Sequence, residues 1–338
     1  MALTQGDPAG VGPEIITKLL VEQPPSREWR PLVFAERVAL EAVPSSVGGS
    51  LADRLVYLPA VPSRGEIEAL PLESIPVVDP VAEDRPVNLG RSGPADAGGA
   101  MAALDGGIEA VQDGCADALV TAPVSKASIA HHHRPDFRGH TEYLAEAAGL
   151  ERYGRDYLMA FLTPDLQVAL LTTHLPLRQA LDEIRETALV DALLLLNHAA
   201  GGRMVVAGVN PHAGEGGLLG SEESEIVLPA VERAREQGVE VSGPDSPDSL
   251  FARARQGEYD WVLSLYHDQG LIAVKTSAFG LSTNWTLGLP FLRTSVDHGT
   301  AFDIAGHGVA DPGSLVQVVQ TTLALISGDL PRRTASRP

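Results

Sequence analysis

One cysteine in 338 residues excludes an internal disulfide. Cys115 falls in a helix-to-strand connection, where it reads as a small buried hydrophobe and not as a nucleophile. The start of the chain carries no basic segment followed by an apolar run, and no later stretch approaches the roughly 18 uninterrupted apolar residues of a membrane span. The expectation is a cytoplasmic protein with no membrane partner; the apolar run at 192–196 is far too short to span and fits a buried helix. Cations are scarce, 25 Lys and Arg against 44 Asp and Glu, which leaves a net charge of −19. No basic patch offsets that field, so nucleic acid is excluded as a general partner. No GxGxxG follows any strand and no Walker sequence occurs, so a nucleotide has to be held by something other than a classical Rossmann turn. Internal repeats are absent, and residues 332–338 read as a frayed tail.

What is present is a composition of 44% hydrophobic and 20% charged residues, enough for a substantial core and better suited to two medium domains than to one. Short apolar runs alternate with longer helical periods. Strands are expected at 116–121, 167–172, 204–209 and 261–266, with weaker ones at 31–35 and 75–79, and helices at 177–200 and 221–237. That alternation implies an α/β fold of mostly parallel sheets with helices on both faces. Within so acidic a chain, the cations inside apolar or Gly-rich motifs carry information: Lys126, Lys275 and Arg293. The opening LTQGDPAGVGPEIITKLL reads as strand, Gly-rich turn and a helix begun by Pro13 and Glu14. Asp7 would repel a phosphate there, so the turn is either a close-packed loop near a site or purely structural. A second Gly-rich loop, SVDHGTAFDIAGHG at 295–308, has the composition to wrap a flat ligand, or simply to connect.

Three expected strands each end within about three residues of a histidine: His174 in TTHLPL, His212 in NPHAGE and His267 in YHDQG. Parallel strands of one sheet bring their C-terminal ends to one edge, where α/β sheets bind ligands. Three neutral imidazoles leave a coordination position open, as in catalytic zinc sites. The competing reading is that each histidine separately caps a loop or satisfies a core hydrogen bond. Asp268 beside His267, and Asp248 before the same strand, are the carboxylates that could orient an imidazole. Asp248 is equally placed to cap a helix near Ser249. The run His131, His132, His133 reads as a solvated loop.

At these blocks the chain resembles the PdxA family, the 4-hydroxythreonine-4-phosphate dehydrogenases of vitamin B6 synthesis. The matching segments are GDPAGVGPEI (6–15), TAPVSK (121–126), GHTEYLA (139–145), TTHLPL (172–177), NPHAGE (210–215), YHDQG (266–270) and TLGLPFLRTSVDHGTAFDIAG (286–306). Residues 24–87 lie outside them. The resemblance implies a two-domain fold similar to isocitrate and isopropylmalate dehydrogenases. Expected domains are residues 1–130 with 285–330 on the cofactor side, and 131–284 on the metal and substrate side. It makes His174, His212 and His267 ligands of one divalent metal, zinc first, with magnesium and cobalt as alternatives. It makes His140, Thr141, Lys275, Asn284 and Arg293 substrate contacts. Lys275, with the two carboxylates Asp248 and Asp268, supplies the catalytic candidates. Asp297, His298, Gly299, Thr300, Ala301 and Asp303 would hold NAD, and the active site would be shared in a homodimer.

The implied reaction is NAD-dependent oxidation of a hydroxyl beside the metal, followed by decarboxylation. SIAHHHRPDFR before the GHTE block and SAFGLST at 277–283 depart from the family pattern, so the exact substrate stays open. Erythronate or threonate 4-phosphate and an aromatic carboxylate dihydrodiol are the alternatives within the family. Outside it, a metal-dependent phosphate ester hydrolase and a non-catalytic sugar-phosphate-binding protein use parts of the same residue set.

Overall fold

A computed structural model of the chain describes residues 1–329; the 332–338 tail lies outside them. The fold is α/β and divides into two compact units, Met1–Leu144 with Phe291–Ser327, and Ala145–Pro290. The sequence-based boundaries fall elsewhere. Residues 131–144 go with the first unit, because Ile129 and Phe137 pack with Ala97, Ala100 and Met101. Residues 285–290 go with the second, because the strand Thr283–Leu287 is paired there.

The first unit contains β1 (Ala2–Thr4), β2 (Leu32–Phe34), β3 (Leu55–Leu58), β4 (Ile75–Val78), β5 (Ala118–Thr121) and β12 (Leu292–Ser295). Their order is β3-β4-β2-β1-β5-β12, and every pair is parallel. Alternate residues point to opposite faces, and both faces are covered, which is why these strands are apolar throughout. Leu3, Val33, Val77 and Val120 form one core with helices Gly12–Glu22 and Gly313–Ile326. On the other face, helix Pro94–Gln112 lies against Thr4, Phe34 and Leu119. A Cβ on Gly107 would come within 2.7 Å of the Thr4 side chain, and one on Gly106 within 2.7 Å of Phe34, so only glycine permits this approach.

The second unit contains β6 (Leu158–Leu162), β7 (Gln167–Leu170), β8 (Met204–Ala207), β9 (Val241–Asp245), β10 (Trp261–Ser264) and β11 (Thr283–Leu287), ordered β11-β6-β7-β10-β8-β9. β6 runs antiparallel to both neighbours, whereas β7, β10, β8 and β9 are parallel. Val168, Leu170, Val205, Ala207 and Val262 pack with Leu250, Leu271 and Val274, which come from helices Pro247–Arg255 and His267–Ser277. Among the described residues no helix is long and apolar enough to cross a membrane.

Three local expectations are corrected. Residues 177–200 form two helices, Leu177–Asp182 and Glu186–Ala199, because the chain turns to bury Ile184. Residues 221–237 begin with a wide turn, Glu223–Val227, before helix Leu228–Glu236; Pro229 removes an amide donor at that joint. The apolar stretch after β10 reads as continued strand but is the helix His267–Ser277, which leaves Lys275 exposed and not a buried cation.

Residues 24–87, outside the motif blocks, contribute Glu36 and Arg85 to a buried charge network. Arg85 forks onto Glu36 through Nε and Nη2, both at 2.8 Å, and reaches Asp96 through Nη1 at 2.8 Å. Gln5 exchanges hydrogen bonds with Glu36, tying β1 to the end of β2. The Glu36 side chain is 1% exposed and that of Arg85 11% exposed. Removing one partner of such a pair leaves an uncompensated charge, so Glu36→Ala should destabilise the protein by about 3–5 kcal/mol in urea unfolding. A loss below about 1 kcal/mol would mean that water replaces the carboxylate.

Candidate active site

The three histidine-bearing strands are neighbours. β10 lies between β7 and β8, with Val262 opposite Val168 on one side and Val205 on the other. In-register parallel strands end together, so the segments leading to His174, His212 and His267 emerge at one edge of the second unit. Hydrogen bonds stitch these exits together. Leu171 N–H donates to Ser264 O at 2.8 Å, and Thr172 Oγ1 to Leu265 O at 2.8 Å. Gln269 accepts from Leu265 N–H at 2.7 Å and donates to Gly208 O at 2.8 Å, joining the ends of β10 and β8.

His174 and His267 face each other with ring centroids 5.4 Å apart. Asp268 Oδ1 sits 2.7 Å from His267 Nδ1, and Glu215 Oε2 sits 2.9 Å from His212 Nδ1. Each carboxylate fixes its ring and leaves Nε2 for a ligand, the arrangement that outer-sphere groups impose on metal-binding imidazoles. Asp268 thus contacts an imidazole. Glu215 was missed, although it stands three residues after His212 in NPHAGE. Asp248 does not touch an imidazole; it accepts from Ser246 Oγ at 2.7 Å in the first turn of helix Pro247–Arg255, and that bond lowers its pKa.

The turn carrying His212 is left-handed over five residues, with φ of 52° at His212, 51° at Ala213 and 45° at Glu215. Non-glycine residues are strained there. The buried Glu223 holds the turn by accepting from the amides of Val209 and Asn210, both at 2.7 Å. Among the described residues, no group of three or more His, Cys, Asp or Glu is arranged to hold a metal within one chain. Thus His174 and His267 are brought together and His212 shares their sheet edge without completing a closed set. On the same unit, Asn284 presents a buried Oδ1 with no hydrogen-bond partner.

The remaining substrate candidates belong to the first unit. Arg293, on β12, is 1% exposed and donates from Nη2 to Thr121 Oγ1 on β5 at 2.7 Å. Burial pulls its pKa down to about 9, so it stays cationic at neutral pH. His140 opens helix His140–Ala147, and Thr141 beside it is buried. The His140 Nε2 is buried without a partner. Burial, and then the positive charges of Arg293 and Lys126, hold its pKa well below the ordinary imidazole value. His131, His132 and His133 are exposed at the end of helix Lys126–His132 and stand apart from this group.

The Gly-rich opening turn is structural. Its amides are already used: Asp7 N–H bonds Pro123 O, Ala9 N–H bonds Asp7 Oδ1, Gly10 N–H bonds Asp7 O, and Val11 N–H bonds Thr300 O. These four amides are taken up by the fold and are not left for a phosphate cradle. The last of these bonds docks the turn on the second Gly-rich loop. Glu14 accepts from the amides of Gly308 and Ala310, and Lys18 donates to both carbonyls, so the GPEI helix positions the 297–310 segment. His298 is fixed by Ser314 Oγ at 2.8 Å. Above Gly299 nothing lies within reach of a Cβ, so its backbone is open to a flat ligand.

A family model described as pyridoxal phosphate biosynthetic protein PdxA matches residues 29–322. The chain belongs to the PdxA family. It is 42% identical to the 4-hydroxythreonine-4-phosphate dehydrogenase of Aromatoleum aromaticum, over 96% of each chain. The crystal structure of the Klebsiella pneumoniae 4-hydroxythreonine-4-phosphate dehydrogenase superposes with a TM-score of 0.81 at 34% identity, covering 96% of this chain and 98% of that one. A terephthalate 1,2-cis-dihydrodiol dehydrogenase from Burkholderia xenovorans matches at 26% identity with a TM-score of 0.62, covering 97% and 98%. The PdxA match includes most of residues 24–87, where the motif blocks are silent.

The buried imidazole yields a pH prediction. Unfolded His140 takes a proton near pH 6.5, while the folded form resists it, so the unfolded state binds the extra proton and stability falls as pH drops below that value. Urea unfolding at about pH 7.5 and about pH 5.5 should show a smaller acid loss for His140→Gln than for the wild type. Equal losses would mean that His140 protonates in the folded protein.

Proposed function

We propose that this chain is an NAD-dependent, metal-assisted dehydrogenase that oxidises 4-hydroxythreonine 4-phosphate or a close analogue, with decarboxylation following, in pyridoxal phosphate biosynthesis. The observation that carries the reading is the parallel trio β7-β10-β8, which delivers His174, His212 and His267 to one edge. An all-imidazole donor set with carboxylates behind two of the rings fits a divalent cation of borderline softness, zinc before magnesium or cobalt. When bound, that cation would acidify the substrate hydroxyl, and the nicotinamide would accept the hydride.

The chain's own residues do the positioning. Arg293 offers a planar fork to a phosphate or carboxylate, and the neutral His140 adds a donor or acceptor at Nε2. Thr141, Lys275 and Asn284 complete the substrate contacts in this reading. Asp268 and Glu215 hold the tautomers of His267 and His212, and Asp248 is left with a structural role. Residues Asp297, His298, Gly299, Thr300, Ala301 and Asp303 line the cofactor side; the 297–306 loop contains no Lys or Arg, so it suits the ribose hydroxyls of NAD and not the 2′-phosphate of NADP.

A homodimer belongs to the same reading. Large apolar side chains flank all three histidines and are exposed in one chain: Leu175 and Leu177 after His174, Leu218 after the His212 turn, and Ile272 on the helix begun by His267. The open His set and these uncovered side chains support a second copy completing the site.

Near-ultraviolet absorbance of NADH tests the activity. 4-Hydroxythreonine 4-phosphate should turn over with NAD and divalent metal, more slowly with NADP, and not after chelation. The unphosphorylated compound should be very poor, since losing one partner of a desolvated charge pair costs about 2–5 kcal/mol. Erythronate and threonate 4-phosphates complete the substrate set. Turnover confined to a carboxylated ring diol would refute the phosphate assignment, and phosphate release without NAD would replace the dehydrogenase with a hydrolase.

A further inference from the structure

Lys126 is a cation that the sequence marks and the substrate contacts above leave out. It ends TAPVSK, the segment that follows β5, and it is the first residue of helix Lys126–His132, where a positive charge is unfavourable against the helix dipole. An ordinary solvated lysine would extend into water. This one lies back against Gly139, the residue before His140. A Cβ at Gly139 would lie 2.9 Å from Lys126 Cε and 3.0 Å from Nζ, and the φ of +149° there disfavours any side chain. The bare backbone at 139 is what lets the ammonium approach the start of the His140 helix. Glu142 Oε2 borders the same position, 3.2 Å from it. Yet among the described residues Lys126 makes no ion pair, so its charge is not cancelled there.

Three groups of one unit therefore converge. Arg293 is anchored through Thr121, at the start of the same TAPVSK segment that Lys126 ends. His140 holds a buried, unpartnered Nε2 between them in sequence and in charge influence. Glu142 is the carboxylate whose charge acts on Arg293, so the two cations beside the neutral imidazole keep an excess of positive charge that an oxyanion would offset.

We infer that Lys126 is a further substrate-binding residue, which with Arg293 and His140 receives an oxyanion, phosphate or carboxylate, of the substrate. The inference rests on the dehydrogenase reading for the identity of that anion, not for its charge. Lys126→Met keeps the stem and removes the charge; Lys126→Arg restores a cation. With 4-hydroxythreonine 4-phosphate, Lys126→Met should raise KM by about tenfold or more while kcat stays within about threefold, and Lys126→Arg should recover part of the loss. If Lys126 holds the phosphate, the preference for the phosphorylated over the unphosphorylated hydroxy acid shrinks; if it holds the carboxylate, both substrates weaken alike.

Thermal protection by inorganic phosphate supplies an arm independent of turnover: wild type should gain stability with added phosphate and Lys126→Met should gain much less. Should the wild type turn over no phosphorylated hydroxy acid, the functional reading fails and this arm still decides the role of Lys126. Unchanged KM together with unchanged phosphate protection in Lys126→Met would overturn the inference. So would a loss confined to kcat.

Discussion

The in-register pairing of β7, β10 and β8 is the constraint on which the rest of the site depends. A strand slipped by one residue turns its whole side-chain set to the opposite face. Here the slip would take Val168, Val205 or Val262 out of the core that they build with Leu250, Leu271 and Val274. Burial thus holds the register, and the register holds the strand ends level. Gln269 and Thr172 then bind the exits together with hydrogen bonds to Leu265 and Gly208. The histidines inherit their common edge from apolar packing several residues earlier. Only the last step, the left-handed turn at His212 anchored by Glu223, is local to the site.

Charge is handled in two ways by the same residue type. Arg85 is closed off by Glu36 and Asp96 and serves the packing of the first unit. Arg293, still further withdrawn from water, donates to the Thr121 hydroxyl, feels the charge of Glu142 and acts with its own charge on His140. In a chain of net charge −19 the second arrangement sets positive charge beside a buried imidazole.

Much of this was legible in the sequence, and the exceptions have physical causes. The strands ending near His174, His212 and His267 are uninterrupted apolar runs with turn residues behind them, so both their existence and their C-terminal ends could be read. Their adjacency could not, since no local signal encodes strand order. Helix Pro94–Gln112 has no clear apolar stripe in the sequence because Gly98–Gly99 and Gly106–Gly107 lower its propensity; Gly106 and Gly107 are there for close packing on Phe34 and Thr4, and Gly99 for the approach of Glu36. The helix after β10 resembles strand in the sequence because LIAV continues the apolar run, whereas Ile272 and Lys275 on it are exposed. Glu215 escaped notice because its contact with His212 depends on backbone at positive φ, which the glycines of NPHAGEGG hinted at. The link of Arg85 to Glu36 spans 49 residues and leaves no trace in spacing.

In the proposed site, three histidines that follow three neighbouring strands serve one cation. Equilibrium dialysis of zinc against the purified protein and against His174→Ala, His212→Ala and His267→Ala tests it most directly. The account predicts one tight site per chain in the wild type and a loss of affinity of at least about a hundredfold in each variant, with folded far-ultraviolet spectra throughout. Wild-type occupancy and affinity in any one of the three variants would contradict it.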